Sequence, residues 1–495
     1  MPVRGNIKIH GFEIDANYAN NAVGTGAKYY RIMYFSHIDD ISVYDMYLHH
    51  NADDILRFDY CSNIKIYDNT GRYQGHEFAY LYKCSDADIY DNDIAMGVNS
   101  GIRCELTKNL KIHGNEIYHE GYSGGYTGIY IRSFAAEYPV TNVEIYDNVI
   151  HDTYYAGIYL LAFDYFGYNA GLTDESQASN VRIYNNIIYN TNIGNHVPGG
   201  GISTAGFSNT AIENNVIYNT KGNGINILYD YDDPGFDNVD YYIRNNIIMA
   251  GTSNGYAVRN YEGNTHDVTV EYNDIYKNSG TYTGSGITYR NNIAVDPMFY
   301  NEGSKDFHLK STYGRWTGSS WATDSASSPC IDAGDPDSNY GNERENNGNK
   351  INIGAYGNTN EASLSGALTG GATLNEAPTA SIDSVSSNEI TEGTTVTFEG
   401  SGVDEDGEIV AYSWESSIDG SLSSEEAFST ATLSSGEHTI IFTVVDDTGA
   451  TDKTTATITV SDASTEDDTP ASDDTSANED TPTEENETVN TPENS

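Results

Sequence analysis

A heptapeptide of the form N-x-x-I-Y-D-N recurs along the N-terminal part of the chain and restricts the possible folds more than any other feature. Its copies are NIKIHGF (6–12), DISVYDM (40–46), NIKIYDN (63–69), DADIYDN (86–92), NLKIHGN (109–115), NVEIYDN (142–148) and NVRIYNN (180–186), with degenerate copies at 209–215, 240–246 and 267–273. Each copy alternates apolar and polar residues, which is typical of a strand with one buried face. The sequence therefore predicts a repeat protein built from short strands.

The spacing between the copies indicates the kind of repeat fold. Consecutive final asparagines lie 19 to 38 residues apart, which is too irregular for a propeller and too strand-like for a helical solenoid. In a parallel β-helix each repeat forms one coil, and insertions extend from its corners. We therefore predict an all-β, right-handed parallel β-helix. We expect the recurrent asparagine to stack at one corner, to take a left-handed turn there, and to hydrogen-bond to its equivalents on neighbouring coils.

A second strand motif lies between the asparagine copies and places polar residues on one outer face. It occurs as ILRFD (55–59), AYLYK (79–83), GIRCE (101–105), GIYIR (128–132), GIYLL (157–161) and GINIL (224–228). Because consecutive coils share a 23-residue period, equivalent positions follow by subtraction. The predicted columns are Tyr34, Arg57, Tyr80, Arg103, Tyr130 and Tyr159; Asp59, Tyr82, Glu105 and Arg132; and Asp54, Glu77 and Ser100, with Asp53, His76 and Asn99 beside them.

This outward face has the composition of a binding surface for an acidic sugar polymer. Tyrosine rings stack on apolar sugar faces, and arginine side chains pair with uronate carboxylates or sulfates. The predicted substrate-binding residues are Tyr34, Arg57, Asp59, Tyr80, Tyr82, Tyr130, Arg132 and Tyr159. The alternative is that the stacked tyrosines and arginines form only a stabilising cross-strand ladder.

Hydrolysis of a glycan is one chemistry that this face could carry. The candidate catalytic residues are Asp54, His76, Glu77, Arg103 and Glu105. A retaining hydrolase needs two carboxyl groups about 5 Å apart, and an inverting one needs them about 6.5–9.5 Å apart. Asp54 and Glu77, one coil apart, match the shorter separation. Asp59 and Glu105, two coils apart, lie near the upper limit of the longer one.

Elimination is the second chemistry. A lyase neutralises the uronate carboxylate, here with Arg57 or Arg103, while a base such as His76 or Tyr80 removes the adjacent proton. The sequence does not distinguish hydrolysis from elimination. For each of these residues a solvated surface group with no catalytic role is the alternative.

The net charge of the chain excludes several partners. Its 495 residues include 73 acidic and 24 basic ones, a formal charge of −49, so it lacks the basic patches that nucleic acid requires. The same charge argues against docking on anionic membranes, and no run of about 18 apolar residues predicts membrane insertion. However, 23 of the 24 basic residues precede residue 376. An acidic polysaccharide is therefore still a credible partner of the β-helix.

Metal binding is only weakly indicated. The many acids make calcium the more plausible cofactor, although no EF-hand loop or RTX-type nonapeptide is present. The pairs His76-Glu77, His119-Glu120 and His151-Asp152 do not fall at a recognised ligand spacing, so we predict no transition-metal site and assign no metal ligand.

Two of the four cysteines are related by the repeat. Cys61 and Cys84 lie one 23-residue period apart and should stack on adjacent coils. Their expected Cα separation of about 4.8 Å suits either a disulfide or two reduced core thiols. Cys104 and Cys330 have no evident partners in the sequence.

Composition divides the chain into four segments. We predict a β-helix over 1–360, a linker over 361–376, an all-β sandwich over 377–461 and a disordered acidic tail over 462–495. The series DPMF (296–299), DFHLK (306–310), SPCIDAGDP (328–336) and INIGAYG (351–357) resembles the closing coils of secreted right-handed β-helix proteins.

The sandwich segment resembles PKD domains, which are immunoglobulin-like modules of archaeal and bacterial surfaces. The resemblance rests on DEDGEIVAYSW (404–414) and HTIIFTVVDDTGA (438–450), with Trp414 in the position of the core tryptophan. PKD modules usually space or bind, so the resemblance implies no catalysis in this segment.

The repeat style, the YDN coils and the domain order together resemble the disaggregatase family of Methanosarcina. That resemblance implies an archaeal, extracellular or cell-surface depolymerase acting on methanochondroitin or a similar uronate-containing glycan. It transfers no residue role, because no diagnostic catalytic motif is present. The alternative is a non-catalytic surface-layer or adhesion protein that binds glycan. Since Met1-Pro2 leads within a few residues into the first coil without a signal peptide, we expect the sequence to be a fragment of a longer secreted chain.

Overall fold

Short strands of the repeat form three parallel sheets in the computed structural model of the chain. Sheet A contains Val3–His10, Ile38–Tyr44, Ser62–Tyr67, Ser85–Tyr90, Lys108–His113, Thr141–Tyr146, Ser179–Tyr184, Ser208–Glu213, Val239–Arg244, His266–Glu271 and Ile287–Arg290. Sheet B contains Glu13–Asp15, Tyr47–Asn51, Thr70–Gln74, Asp93–Ala95, Glu116–Tyr118, Val149–His151, Ile187–Tyr189, Val216–Tyr218, Ile247–Met249 and Asp274–Ile275. Sheet C contains Met33–Ser36, Leu56–Asp59, Glu77–Tyr82, Ser100–Glu105, Thr127–Ser133, Ile158–Ala162, Gly200–Ala205, Asn223–Ile227, Gly251–Asn260 and Asn278–Thr283.

The chain divides into two units, Met1–Asn375 and Glu376–Ser495. The structure describes residues 3–16, 31–119, 126–134, 138–162, 179–197, 199–228, 239–261, 266–366, 378–404, 407–446 and 451–462. The predicted linker from residue 367 onwards and the predicted acidic tail from residue 463 onwards lie outside these ranges. No helix in the described residues is long and apolar enough to cross a membrane.

The strand order establishes the β-helix. Each strand pairs in parallel with the equivalent strand one coil later, so that Tyr67 lies beside Tyr90, and Tyr90 beside His113. The inward positions of the alternating pattern, such as Ile66, Ile89 and Ile112, are fully buried in one continuous core. The predicted parallel β-helix is therefore confirmed.

The recurrent asparagines form a buried ladder at the corner between sheets A and B. Each side-chain amide nitrogen donates to the Oδ1 of the next asparagine at 2.9 or 3.0 Å, and each backbone N–H donates to the same oxygen at 2.9–3.1 Å. The ladder consists of Asn69, Asn92, Asn115, Asn148, Asn186, Asn215, Asn246, Asn273 and Asn292.

One detail of the predicted asparagine corner is wrong. The left-handed residue is the one before each ladder asparagine, for example Asp68 (φ 53°), Asp91 (φ 53°) and Gly114 (φ 64°). The ladder asparagine itself is not left-handed, since its amide must point along the axis of the β-helix to reach both neighbouring coils. The turn therefore uses two successive positions, one for the left-handed backbone conformation and one for the ladder.

Aromatic rings stack along the outer face of sheet A. The rings of His10, Tyr44, Tyr67, Tyr90, His113, Tyr146 and Tyr184 follow one another with centroid separations of 4.5–5.1 Å. Stacks of this kind stabilise neighbouring coils through ring contact alone. Five of the 41 tyrosines belong to this stack.

All four cysteines are buried free thiols. Cys61 and Cys84 stack on adjacent coils as predicted, and the Cys61 backbone N–H donates to Cys84 Sγ at 3.4 Å. Of the two alternatives that the sequence leaves open for this pair, the structure therefore contains the reduced thiols. Cys330, which has no evident partner in the sequence, donates to the buried carboxylate of Asp274 at 3.2 Å.

The segments after the last full coil fold back on the β-helix. Phe299–Asn301 pairs antiparallel with Asp306–Leu309, and Arg315–Trp316 pairs with Trp321–Ala322. The left-handed asparagines of two coils bind the later backbone, since Asn185 donates to the carbonyl of Ala355 at 2.6 Å and Asn214 to that of Asn352 at 3.0 Å. The closing segment is therefore fastened to the turn residues of the repeat.

The second unit is a two-sheet sandwich. One sheet contains Thr379–Val385, Val396–Val403 and Ala427–Thr430; the other contains Glu389–Thr391, Ile409–Ser416, Gly420–Ser423, Gly436–Asp446 and Thr451–Ser461. Trp414 is fully buried between them, with its ring centroid 4.3 Å from that of Phe442. Its indole N–H donates to the Glu425 carbonyl at 3.0 Å, so the one polar atom of the ring is also satisfied.

We expect the substitution Asn148→Ala to destabilise the β-helix strongly. The buried Asn148 amide donates to the carbonyls of Ile112 and Tyr146 and to Asn186, and its oxygen accepts from Asn115. Since the substitution leaves these groups unsatisfied in the interior, the free energy of unfolding should fall by about 3 kcal/mol or more. Thermal unfolding followed by circular dichroism measures the loss.

The control is an asparagine of a second, exposed ladder. Asn142 donates to Asn109 at 2.9 Å and has a φ of 56°, which glycine tolerates. Asn142→Gly should lower the free energy of unfolding by less than about 1 kcal/mol, because water replaces the lost contacts. Equal losses for the two variants would contradict the assignment of stability to the buried ladder.

Candidate functional site

The strand register places the predicted outer columns of sheet C as expected. The first column consists of the register neighbours Tyr34, Arg57, Tyr80, Arg103, Tyr130 and Tyr159, and the second of Asp59, Tyr82, Glu105 and Arg132. The 23-residue period relates Tyr34 to Arg103, and the strand register continues to Tyr130 and Tyr159 past insertions, so side chains of one column lie one strand spacing apart. We call these two columns, together with Asp53, Asp54, His76 and Glu77 at the adjoining corner, the sheet C face.

Arginine and tyrosine alternate in the first column and contact each other directly. The Arg57 guanidinium lies 3.5 Å from the centroid of the Tyr80 ring. The Arg103 guanidinium lies between two rings, 4.9 Å from Tyr80 and 5.1 Å from Tyr130. Tyr130 and Tyr159 stack at 5.3 Å. These cation–π contacts attract the guanidinium groups to the tyrosine rings.

Carboxylates of the second column anchor the arginines. Arg57 Nε donates to Asp59 at 2.6 Å, and Arg103 Nε donates to Glu105 at 3.0 Å. The same carboxylates accept from tyrosines, since the Tyr34 hydroxyl donates to Asp59 at 2.9 Å and the Tyr80 hydroxyl to Glu105 at 2.5 Å. Arg132 is 3.5 Å from Glu105. Asp59 therefore positions one arginine and one tyrosine, and Glu105 positions two arginines and one tyrosine.

Two carboxyl groups converge on one histidine at the corner before sheet C. His76 Nδ1 lies 2.9 Å from Asp54 Oδ1 and also contacts Glu77 Oε2. Glu77 Oε1 accepts from Asn99 at 2.5 Å and lies 3.2 Å from Arg103 Nη1. The corner is therefore linked to the Arg–Tyr column through Arg103.

The surroundings of this corner shift the pKa values of Asp54 and Glu77 in opposite directions. Burial raises the pKa of Asp54, and the neighbouring Glu77 adds to the rise against an opposing hydrogen bond from His76. Burial also disfavours ionisation of Glu77, but the hydrogen bond and the charge of His76 outweigh it and hold the pKa of Glu77 below its ordinary value. The pKa values of the two acids are therefore shifted in opposite directions.

His76 is held in its charged form. Burial lowers the pKa of this imidazole, but its hydrogen bonds to Asp54 and Glu77 and their charges outweigh that effect and raise the pKa to about 10. Burial and the charge of Glu105 raise the pKa of Tyr80. At neutral pH both groups are therefore proton donors, which disfavours the roles of general base predicted for them.

The acids of the sheet C face are buried, although the repeat pattern predicts that their side chains point outward. Glu77 is fully buried, and Asp54 and Glu105 are 2% and 3% exposed. Arginine, tyrosine and histidine side chains cover them, because the acids are shorter than the cations with which they pair. Solvent instead reaches Tyr34, which is 51% exposed, and His76, whose side chain is 40% exposed.

The structure adds residues to this face that the repeat pattern does not single out. Arg31 lies 3.7 Å from Asp54 and 3.8 Å from Asp53, one coil before the aligned columns. A cleft of about 400 Å³ beside Tyr82 is lined by Tyr60, Lys83, Lys108 and Tyr138. Lys83 Nζ is 4.4 Å from the Tyr138 ring. These two lysines and two tyrosines come from different coils. The sequence would have pointed to this cleft only if the corner residues of successive coils had been aligned with one another.

The calcium prediction has one candidate in the sheet C face. Asp53, Asp54 and His76 bring potential ligand atoms within 4.8 Å of one another. The donor set does not suit a hard cation, however, because Arg31 and Arg57 already neutralise these carboxylates and His76 is cationic. We derive no metal-dependent step from this group.

Comparison with known protein families supports the fold and the resemblance to disaggregatases. Residues 140–334 match the family described as disaggregatase related, residues 5–166 match the right-handed β-helix region, and residues 375–461 match the PKD domain. The chain therefore contains a right-handed β-helix, a segment that matches the disaggregatase-related family, and a C-terminal PKD domain. No curated protein matches the chain.

Solved structures similar to this chain include a PKD domain and β-helix modules. The PKD1 domain of Vibrio anguillarum Epp is 38% identical over 18% of this chain and 96% of its own, with a TM-score of 0.16. The A-modules of the Azotobacter vinelandii mannuronan C-5 epimerases AlgE6 and AlgE4 are 13% and 12% identical over 52% and 51% of this chain, with TM-scores of 0.39 and 0.36. The match spans 65% and 62% of those two modules, slightly under two thirds.

We predict that His76 stays protonated well above neutral pH. Since its pKa in the folded state, about 10, exceeds the ordinary value of 6.5, its charge contributes stability that is complete below pH 6.5 and is lost as the pH rises towards 10. Histidine-selective NMR titration of the folded protein, with His76→Gln used to assign the resonance, measures this pKa. A midpoint near 6.5 would mean that His76 does not bridge the two acids.

Proposed function

We propose that this protein is a polysaccharide depolymerase that binds an acidic, uronate-containing glycan such as methanochondroitin along the sheet C face. The observation that carries the proposal is His76, a partly exposed cationic imidazole held between two buried carboxyl groups beside a column of alternating arginine and tyrosine. Pairs of titratable groups with opposite pKa shifts are typical of acid–base sites.

Glycan recognition would use the surface that is open to solvent. Tyr34 presents a ring for stacking on a sugar, while His76 and the lysine-lined cleft offer positive charge to uronate or sulfate groups. The arginines would act mainly by holding the tyrosine rings in place, because Arg57 is bound to Asp59 and Arg103 is bound to Glu105 and Glu77. A polymer can contact several coils at once, so modest individual contacts add up along the face.

The chemistry at the corner gives each residue a role. His76 would act as the proton donor or would neutralise a uronate carboxylate, and Glu77 would act as the ionised carboxylate, its pKa lowered mainly by His76 and further by Arg103. Asp54 would hold the imidazole in place. This arrangement serves hydrolysis as well as elimination. In elimination a carboxylate, rather than Tyr80, would remove the proton.

A second candidate function is glycan binding without cleavage. The burial of Glu77 and Asp54 favours it, because substrate must reach them through the side chains of His76 and Arg103. A surface-layer or adhesion protein would use the same face with its acids as structural anchors.

We further infer an extracellular or cell-surface location. The disaggregatase-related and PKD families support it, and an acidic matrix glycan would be encountered there.

The product of the reaction distinguishes these functions. We expect incubation with a polyuronate to generate new reducing ends. Ultraviolet absorbance from an unsaturated uronate would identify a lyase, and new ends without that absorbance would identify a hydrolase. Binding of the polymer with no new ends would leave only the adhesion function.

Substitutions then locate the site. His76→Gln and Glu77→Gln should each lower kcat/KM by about 10²–10⁴-fold, the range of a lost acid–base group. The matched control is His113→Gln, because His113 also contacts a carboxylate, Asp88 at 3.0 Å, but lies on sheet A. Full activity in a folded His76→Gln variant would place catalysis elsewhere, and a comparable loss in His113→Gln would indicate a general structural effect.

A further inference from the structure

Two adjacent histidines and an aspartate on sheet B form a group with no role in the sheet C face. His49 Nδ1 and His50 Nδ1 are 2.6 Å apart, and Asp15 Oδ1 lies 3.6 Å from each of them. We propose that Asp15, His49 and His50 bind a divalent transition-metal ion, with Zn²⁺ as the best match. This site is independent of the proposed glycan chemistry.

The fold explains why residues that are adjacent in sequence can share one ion. Successive side chains of a regular strand point to opposite faces, so His49 and His50 would normally diverge. His50, however, has a left-handed backbone with φ of 53°, and this breaks the alternation. Asp15 is the register neighbour of His49 on the preceding coil. Three potential ligands therefore converge from two coils.

The distances are close to those of a coordination shell. Ligand atoms about 2.0 Å from a tetrahedral Zn²⁺ lie about 3.3 Å from one another. The two Asp15–histidine distances of 3.6 Å are near this value, and the two imidazole nitrogens, now 2.6 Å apart, need to separate by about 0.7 Å to reach it. Without an ion, two imidazole nitrogens at 2.6 Å must share a proton. A metal ion replaces that proton and relieves the close approach.

A second carboxylate orients the buried histidine. Glu13 Oε1 lies 3.0 Å from His49 Nε2, on the side of the ring opposite the cluster. This places the proton on Nε2 and leaves the Nδ1 lone pair directed at Asp15 and His50. Carboxylate–histidine pairs of this kind support most protein zinc sites. The His50 ring is fixed in turn by stacking on Tyr73 at 4.6 Å.

The donor types define the class of ion. Two imidazole nitrogens and one carboxylate favour Zn²⁺, Co²⁺ or Ni²⁺ over calcium, which prefers oxygen ligands. Three protein ligands also leave one position for water or an exogenous ligand. His49 is 5% exposed, whereas the His50 side chain is 36% exposed, so this position faces solvent on the His50 side.

The second candidate group among the described residues, at the corner of sheet C, already has cations beside its carboxylates. Asp53, Asp54 and His76 have Arg31 and Arg57 within 3.8 Å of their carboxylates, which already supply the positive charge. In the Asp15–His49–His50 group, the Asp15 carboxylate faces two imidazole nitrogens at 3.6 Å.

Cobalt titration of the full chain, after dialysis against a chelator, tests the proposal. We expect one equivalent of Co²⁺ to bind with the visible absorption of a low-coordinate nitrogen–oxygen site, and one equivalent of Zn²⁺ to displace it, while excess Ca²⁺ does not. Zn²⁺ should also raise the temperature of unfolding, because it binds only the folded coils.

Variants assign the bound ion to its ligands. His50→Ala and Asp15→Asn should weaken Co²⁺ binding at least 100-fold, whereas Glu13→Gln should weaken it about 10–100-fold and keep the spectrum, since Glu13 only orients His49. The matched control His113→Ala removes a stacked histidine that also has a carboxylate partner, and it should bind normally.

Two results would overturn the proposal. One is the absence of stoichiometric Co²⁺ and Zn²⁺ binding by the wild-type chain. The other is Co²⁺ binding that survives in folded His50→Ala and Asp15→Asn variants. If the Co²⁺ absorption were lost in His76→Ala instead, the ion would be bound at the corner of sheet C.

Discussion

The buried asparagine ladder is the interaction on which the rest of the β-helix depends. Each asparagine supplies hydrogen bonds at a corner where the chain leaves one sheet and enters the next. The Asn92 amide, for example, donates to the carbonyls of Ile66 and Tyr90, and the Asn92 backbone N–H donates to Asn115. An unsatisfied amide there would cost on the order of 1–3 kcal/mol per coil. Because the ladder keeps the coils in register, residues one period apart face each other on sheet C. The Arg57–Tyr80–Arg103 column is a consequence of that register.

On the sheet C face, stability and function are carried by the same residues. Asp59 and Glu105 hold the arginines against the tyrosine rings, so the face is already arranged before any ligand arrives. Such preorganisation reduces the entropy that binding must cost. The stacked rings of sheet A show that β-helix ladders also form for stability alone. What distinguishes sheet C is the addition of charge, and above all of His76 between Asp54 and Glu77.

Much of this architecture could be predicted from the sequence, because a fixed period converts residue numbers into neighbours. The columns of sheet C and the stacking of Cys61 on Cys84 follow from subtraction of 23 residues. The burial of individual side chains and the geometry of irregular turns could not be predicted. Glu77 is buried because longer side chains cover it, which the repeat pattern does not show. Asp15 lies beside His49 across a coil longer than 23 residues, and His50 joins them only because its backbone is left-handed. The left-handed position of the asparagine corner was misplaced by one residue for the same reason, since alternation does not define turn geometry.

A crystal structure of the full chain with an acidic oligosaccharide tests the central claim most directly. The account predicts a sugar chain lying across the coils of sheet C between Tyr34 and Tyr159, with a uronate carboxylate in contact with His76. An oligosaccharide bound to sheet A, to sheet B or to the PKD unit, with the sheet C face uncovered, would contradict it.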